Sequence, residues 1–189
     1  MASDLSEIRA LLDRLCRLSA ADDWQDGLNP SQVAVLAYLG RANRFSRSPS
    51  HVAAYLGATR GTVSQSLKSL LSKGFVRERR LPGDRRSISF ELTGQGVAAL
   101  GRRRVLDDAL GDLAPERLAD LGAALTDVLR DVLRRRGGKG FGLCRSCAFH
   151  RHGTEGRYCT LLNLALSEEE AGQICHEHLP PEVSPGATG

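Results

Sequence analysis

Apolar residues recur at three- and four-residue steps along most of this chain, and at steps of about two over one short stretch. Leu5, Ile8, Leu12, Leu15 and Leu18 form such a stripe, so residues 4–20 are predicted to be an amphipathic helix. Cys16 lies near that stripe and reads as a buried apolar thiol or a helix contact. Asn29-Pro30-Ser31 opens a second helix with proline near its first turn, carried by Val33, Leu36, Ala37 and Leu39 to about Ala42. Ser48-Pro49-Ser50 starts a short third helix that closes at Gly57. Thr59 caps a fourth, with Val63, Leu67, Leu70 and Leu71 turned inward and Gly74 as its stop.

From Phe75 the period shortens. Phe75-Val76-Arg77-Glu78-Arg79 and Ser87-Ile88-Ser89-Phe90-Glu91-Leu92 read as two strands, joined by a basic, turn-rich tip at 81–86. Thr93 is then predicted to begin a long helix across Val97, Leu100, Val105 and Leu106, with Gly94, Gly96, Gly101 and Gly111 weakening its continuity. Ala114-Pro115-Glu116 opens another through Leu118, Leu121, Leu125, Val128, Leu129 and Leu133. Residues 134–140 form a basic, glycine-rich linker. One more helix is predicted over 166–174, capped by Ser167, and the proline- and glycine-rich end is expected to be disordered. The expected domains are 1–136, a linker at 137–142, a small module at 143–179 and a tail at 180–189.

Apolar content of 41% in 189 residues suffices for a real core. No stretch reaches the roughly 18 apolar residues of a membrane span, and the first residues lack the pattern of a signal peptide. A reducing cytosol is the expected compartment, and an odd count of five cysteines argues against a closed disulfide framework. No GxSxG, P-loop or GxGxxG sequence is present, so no enzyme is expected.

Charge changes the picture more than composition does. Residues 59–104 carry 11 Lys or Arg against three acids, whereas residues 139–189 carry four against six. Such clustering marks a polyanion partner. A helix, a tight turn, a capped helix and a basic hairpin make a winged helix-turn-helix, whose second helix enters the major groove of double-stranded DNA. Its exposed N-terminal face is expected to comprise Thr59, Arg60, Gly61, Thr62, Ser64, Gln65 and Lys68. Arg60 and Gln65 can donate paired hydrogen bonds to bases, while the hydroxyls and Lys68 suit phosphates. Arg85 and Arg86 at the hairpin tip are the right type for a narrow minor groove.

With TRGTVSQSLKSLLSKGFVRER at the recognition helix and GDRRSISFELTGQG at the wing, residues 5–135 resemble the MarR family of bacterial transcriptional regulators. The resemblance implies that Asp84 and Arg86 brace the wing, and that the protein is a homodimer joined through residues 4–20 and about 95–135. It also implies a palindromic operator, and it makes a small-molecule effector a candidate partner, since many relatives respond to phenolic or lipophilic ligands and others to cysteine oxidation. The expected fold is therefore mainly α with a small β-hairpin wing, dimerising through terminal helices, plus a small four-cysteine metal module.

That module has no place in the family pattern. Cys144, Cys147, Cys159 and Cys175 form a C-x2-C-x11-C-x15-C array. The first pair has the spacing of a metal-binding knuckle. Structural zinc usually appears with two such knuckles or with Cys2His2 spacing, so an iron–sulfur cluster, [4Fe-4S], is the favoured cofactor and zinc the alternative. Unligated thiols or reversible disulfides are the remaining reading. His150, His152, His176 and His178 flank the array and could replace a cysteine or bond to sulfur. Its place behind the linker puts the module beside the dimer helices, from where it could bias the separation of two recognition helices. Operator binding modulated by iron, oxygen or redox state is the expected function; a ligand-responsive repressor with structural zinc is the alternative.

Overall fold

Caps written into the sequence set three of the helices. Asn29 and Gln32 form a reciprocal capping box at the start of α2 (Pro30–Arg41), each side chain accepting from the other's backbone N–H. Ser48 caps α3 (Pro49–Leu56), which ends at Gly57 with φ +62°, a left-handed value that costs glycine nothing. Thr59 caps α4 (Arg60–Ser72), accepting from the Thr62 N–H at 3.2 Å.

The computed structural model describes residues 2–24, 27–81, 84–102, 104–138, 140–153 and 156–181, with side chains for all of these except 2, 3, 81 and 84–87. The predicted disorder at the end of the chain falls on 182–189, outside the described residues. Among the described residues, no helix is long and apolar enough to cross a membrane.

Leu36, Leu39, Val52, Val63, Leu67 and Leu70 from these three helices are buried in one core with Phe75, Val76 and Phe90. Gln32 crosses the α2–α4 seam and donates to the Ser69 hydroxyl at 2.9 Å. β1 (Val76–Leu81) and β2 (Asp84–Leu92) pair antiparallel in the register Val76↔Leu92 and Glu78↔Phe90, as the period-two stretch predicts. The Phe90 N–H donates to the Arg47 carbonyl at 3.1 Å and ties this hairpin to the turn before α3.

The long helix predicted from Thr93 is two short ones, α5 (Gly94–Leu100) and α6 (Val105–Gly111). Thr93 caps α5 and also donates to the Gly74 carbonyl at 2.6 Å. Gly96 in α5 is required by packing: a Cβ there would stand 2.2 Å from the Phe75 carbonyl oxygen. Gly101 lets the chain leave the helix, and Arg104 holds the start of α6 against α1 (Ala2–Asp22) through an ion pair with Asp23 at 3.1 Å. Pro115 then opens α7 (Pro115–Arg135).

α1 and α7 leave their apolar stripes in solvent. Leu5, Ile8, Leu11 and Leu18 on α1, and Leu125, Val128 and Leu129 on α7, are exposed, and α7 buries none of its residues. Cys16 is exposed too, not buried as the sequence suggests, because nothing within one chain covers this stripe.

Beyond α7 the chain builds a small β-rich unit. β3 (Gly142–Leu143) pairs with β7 (Ile174–Cys175), and β4 (His150–Gly153), β5 (Gly156–Cys159) and β6 (Leu164–Leu166) form an antiparallel sheet. The helix predicted over 166–174 is the single turn α8 (Glu168–Ala171). Ile174 leaves it because its side chain enters the core of the helical unit, so Cys175 lies on a strand and not at a helix end.

The unit packs against the turn between α2 and α3, not beside α7. Ile174 bridges in parallel to Ala42, and its carbonyl accepts from the Asn43 N–H at 2.9 Å. Phe141 meets Tyr38 and Tyr55 edge-on, with ring centroids 6.2 and 5.2 Å away. Arg44 pairs with Glu170 of α8 at 3.1 Å.

Candidate nucleic-acid interface and cysteine site

α4 turns Val63, Leu67 and Leu70 inward, which leaves its opposite face to solvent. Arg60, Thr62, Ser64, Gln65 and Lys68 are all exposed on that helix, with Thr59 exposed at its cap. The Thr59 hydroxyl is engaged locally, 2.8 Å from the Thr62 hydroxyl and accepting from the Thr62 N–H. Arg60, Ser64, Gln65 and Lys68 thus form a polar strip along the N-terminal half of the helix.

Beside it, the wing carries its charge in fixed positions. Arg79 and Arg77 reach the Glu91 carboxylate at 2.9 and 3.2 Å. Burial alone would raise the Glu91 pKa, but hydrogen bonds from Arg79 and Arg77 outweigh it and hold the carboxyl below its usual range. The sequence singles out neither this clamp nor its strands for function. The side chains of Asp84, Arg85 and Arg86 lie outside the described residues. An open groove of about 670 Å³ lies behind α4, lined by Lys73, Phe75, Gln95, Ala98, Ala99 and Arg102.

The four predicted cysteines share one neighbourhood. Cys144, Cys159 and Cys175 are buried and Cys147 is half-buried. The short turn Cys144–Ser146 makes the knuckle, with the Cys147 N–H donating to the Cys144 carbonyl at 3.0 Å. β7 brings Cys175 alongside, since the Cys144 N–H donates to the Gln173 carbonyl at 3.0 Å. Cys159 ends β5, opposite His150. Burial, then the thiols of Cys175, Cys159 and Cys147, push the Cys144 thiol up to about 11.

Two of the sulfurs already accept hydrogen bonds that suit a thiolate. Cys147 takes one from the Leu179 N–H at 3.5 Å. Burial raises the Cys175 pKa, against which the Glu177 N–H and the Asn43 side chain pull downward. Among the described residues, no three His, Cys, Asp or Glu side chains converge on a point that would hold a single metal ion. The sulfurs lie close enough to perturb one another without meeting at one apex. That arrangement fits a multi-iron cluster, which spreads its thiolates over a larger object, better than one zinc ion with four bonds of about 2.3 Å.

Of the flanking histidines, His176 and His178 have protein partners. His176 Nε2 is 3.0 Å from Glu177, and His178 Nε2 is 3.1 Å from the Ser146 hydroxyl. His152 is exposed. His150 Nε2 is buried without a hydrogen-bond partner among the described residues, and burial followed by Arg157 and His152 holds its pKa below the usual imidazole range.

Helix, turn, exposed polar helix and clamped hairpin define a winged helix-turn-helix unit. Residues 26–87 match the MarR family model, and the fold is that of the MarR-type winged-helix regulators. The HTH-type transcriptional repressor YetL of Bacillus subtilis (strain 168) is 35% identical over 74 residues, which span 39% of this chain and 44% of that protein. The chain thus aligns with less than half the length of this curated relative. The S. aureus MepR–DNA complex superposes with a TM-score of 0.53 at 21% identity, covering 70% of this chain and 98% of that one. Sco3205, a MarR family transcriptional regulator from Streptomyces coelicolor solved in complex with DNA, gives 0.54 at 23% identity, covering 69% and 88%. At these identities the likeness is one of fold.

Proposed function

We propose that this chain is a DNA-binding transcriptional regulator of the MarR type that acts as a cytosolic homodimer on a palindromic duplex, and not an enzyme. The observation that carries the reading is the outward strip of α4, where Arg60, Ser64, Gln65 and Lys68 stand exposed over the fully apolar inner face of the same helix. A helix of that kind fits the major groove, with Arg60 and Gln65 toward base edges and Thr59, Thr62, Ser64 and Lys68 toward phosphates. Arg85 and Arg86 would reach the minor groove from the wing, with Asp84 bracing Arg86. The DNA complexes of MepR and Sco3205 support the same use of the fold. The unpaired stripes of α1 and α7 support a second copy of the chain as their cover.

The cysteine site is proposed to hold a [4Fe-4S] cluster through Cys144, Cys147, Cys159 and Cys175. Such a cluster, when bound, supplies an oxygen- and redox-labile centre whose loss alters the fold around it. The chain's part is to bury three thiols, to donate N–H groups to Cys147 and Cys175, and to keep the site against the α2–α3 turn. The alternative, a repressor with structural zinc and a small effector in the groove behind α4, is separated by a spectrum: protein purified without air absorbs near 400 nm if it holds the cluster and is colourless with zinc. Selection of duplexes from a random pool by the purified protein tests the DNA reading. Recovery of a two-fold symmetric sequence supports it, and recovery of none removes it.

A further inference from the structure

The winged helix closes one side of the cysteine site. Asn43 and Ser46, in the turn between α2 and α3, are 2% and 0% exposed. Asn43 Oδ1 accepts twice, from the Phe45 N–H at 3.1 Å and the Ser46 hydroxyl at 2.7 Å. With the oxygen so engaged, the NH2 of the amide is the side that faces Cys175, whose sulfur accepts from it. Ser46 has given its one proton to Asn43, so its oxygen accepts from the His176 N–H at 3.0 Å, with His176 Nδ1 3.2 Å away. The His176 ring in turn lies on that of His51 in the first turns of α3, with centroids 3.5 Å apart and planes 23° apart.

We infer that Asn43 is a positioning residue of the cysteine site, and that the contacts Cys175–Asn43–Ser46–His176–His51 carry the state of that site into the first helix of the helix-turn-helix. The inference rests on the cluster reading above. Its physical basis is that buried polar groups with their bonds made tolerate little displacement. A Cys175 sulfur fixed by ligation holds the Asn43 amide, and the amide holds the turn. α3 and α4 share one core through Val52, Val63 and Leu67, so an ordered α3 start orders the seat of the recognition helix. The route is contiguous and short, and it enters each DNA-binding unit directly without passing through the dimer helices.

The test uses the full-length protein, loaded with iron and sulfide under argon, and follows amide exchange. In the wild type, loading slows exchange across residues 42–52 by about fivefold or more as well as within 141–178. Asn43→Asp keeps the size and the accepting oxygen but replaces the donor. It is expected to lose its absorbance near 400 nm in air several times faster than the wild type, and to lose the added protection of 42–52. His51→Ala leaves every contact of Cys175 in place, so its loaded spectrum matches the wild type while the protection at 42–52 disappears; His51→Phe, with a flat ring again, restores it. Wild-type protection of 42–52 in both Asn43→Asp and His51→Ala would overturn the coupling while leaving the cluster reading intact. Wild-type protein that takes up neither iron nor sulfide would remove the cluster reading, and this inference with it.

Discussion

Arg79 donates to the Glu91 carboxylate at 2.9 Å across the wing strands, and Arg77 joins the same carboxylate from the neighbouring position but one. The clamp makes a pH prediction. The Glu91 pKa is depressed by its arginines, so its contribution to stability is present above the ordinary value of 4.5 and is lost as pH falls through the lower folded value. Glu91→Gln is therefore expected to lower stability at neutral pH by at most about 1 kcal/mol, since both arginines are largely exposed. Urea denaturation at neutral pH and in strong acid checks it: the difference between variant and wild type should vanish in acid.

Leu67 and Leu70 fasten the recognition helix to the core and are 1% and 0% exposed. Leu67→Ala is expected to cost about 2–5 kcal/mol, the range for emptying a well-packed site. A denaturant midpoint that moves by less than the equivalent of about 1 kcal/mol would mean that α4 is not held by this contact.

On the outward side of the same helix, effects should appear in binding and not in folding. Arg60→Ala or Gln65→Ala is expected to weaken binding to a selected duplex by about 1–3 kcal/mol and to relax base preference at one position in each half-site. Lys68→Ala should weaken binding to all sequences alike and reduce the salt slope by about 1. Fluorescence anisotropy at several salt concentrations distinguishes the two patterns.

Self-association should reside in the terminal helices. Leu125→Asp places a carboxylate in the exposed stripe of α7, and sedimentation velocity is expected to show a dimer for the wild type and a monomer for the variant. A variant that sediments as the wild type would place the dimer seam elsewhere.

In the metal-free protein the Cys144 thiol, pushed up to about 11, stays protonated well above pH 8. Its alkylation by iodoacetamide should be slow at pH 8 and rise with pH toward that value. The folded state holds this proton where the unfolded chain has released it, so stability of the metal-free form falls as pH rises from 9 toward 11. Cys144→Ser should remove both the pH-dependent alkylation and the absorbance near 400 nm.

The parts of the fold that announce themselves in sequence are those fixed by neighbours along the chain. Asn29, Ser48 and Thr59 cap helices within three residues of themselves, and the alternation after Phe75 is a local property of a half-buried strand. The break between α5 and α6 was half-visible in Gly101, yet the Arg104–Asp23 pair that secures it joins residues far apart in sequence. The docking of the cysteine unit was not legible at all. Its seat on Ala42, Asn43 and Ser46 depends on Ile174 and His176, and neither side carries a local signature; a buried Asn and Ser in a turn look in sequence like ordinary loop residues. For the same reason the array was read as an appendage next to α7, when its strand β7 belongs to the seam with the helical unit.

Phe141 and Ile174 sit among Tyr38, Tyr55 and the helical core, which makes the two units one object in mechanical terms. Cutting the chain after α7 would not free an autonomous regulator; it would uncover the aromatic floor that Phe141 now roofs. Anyone wishing to graft this cysteine unit onto another winged helix must therefore transplant the receptor surface with it.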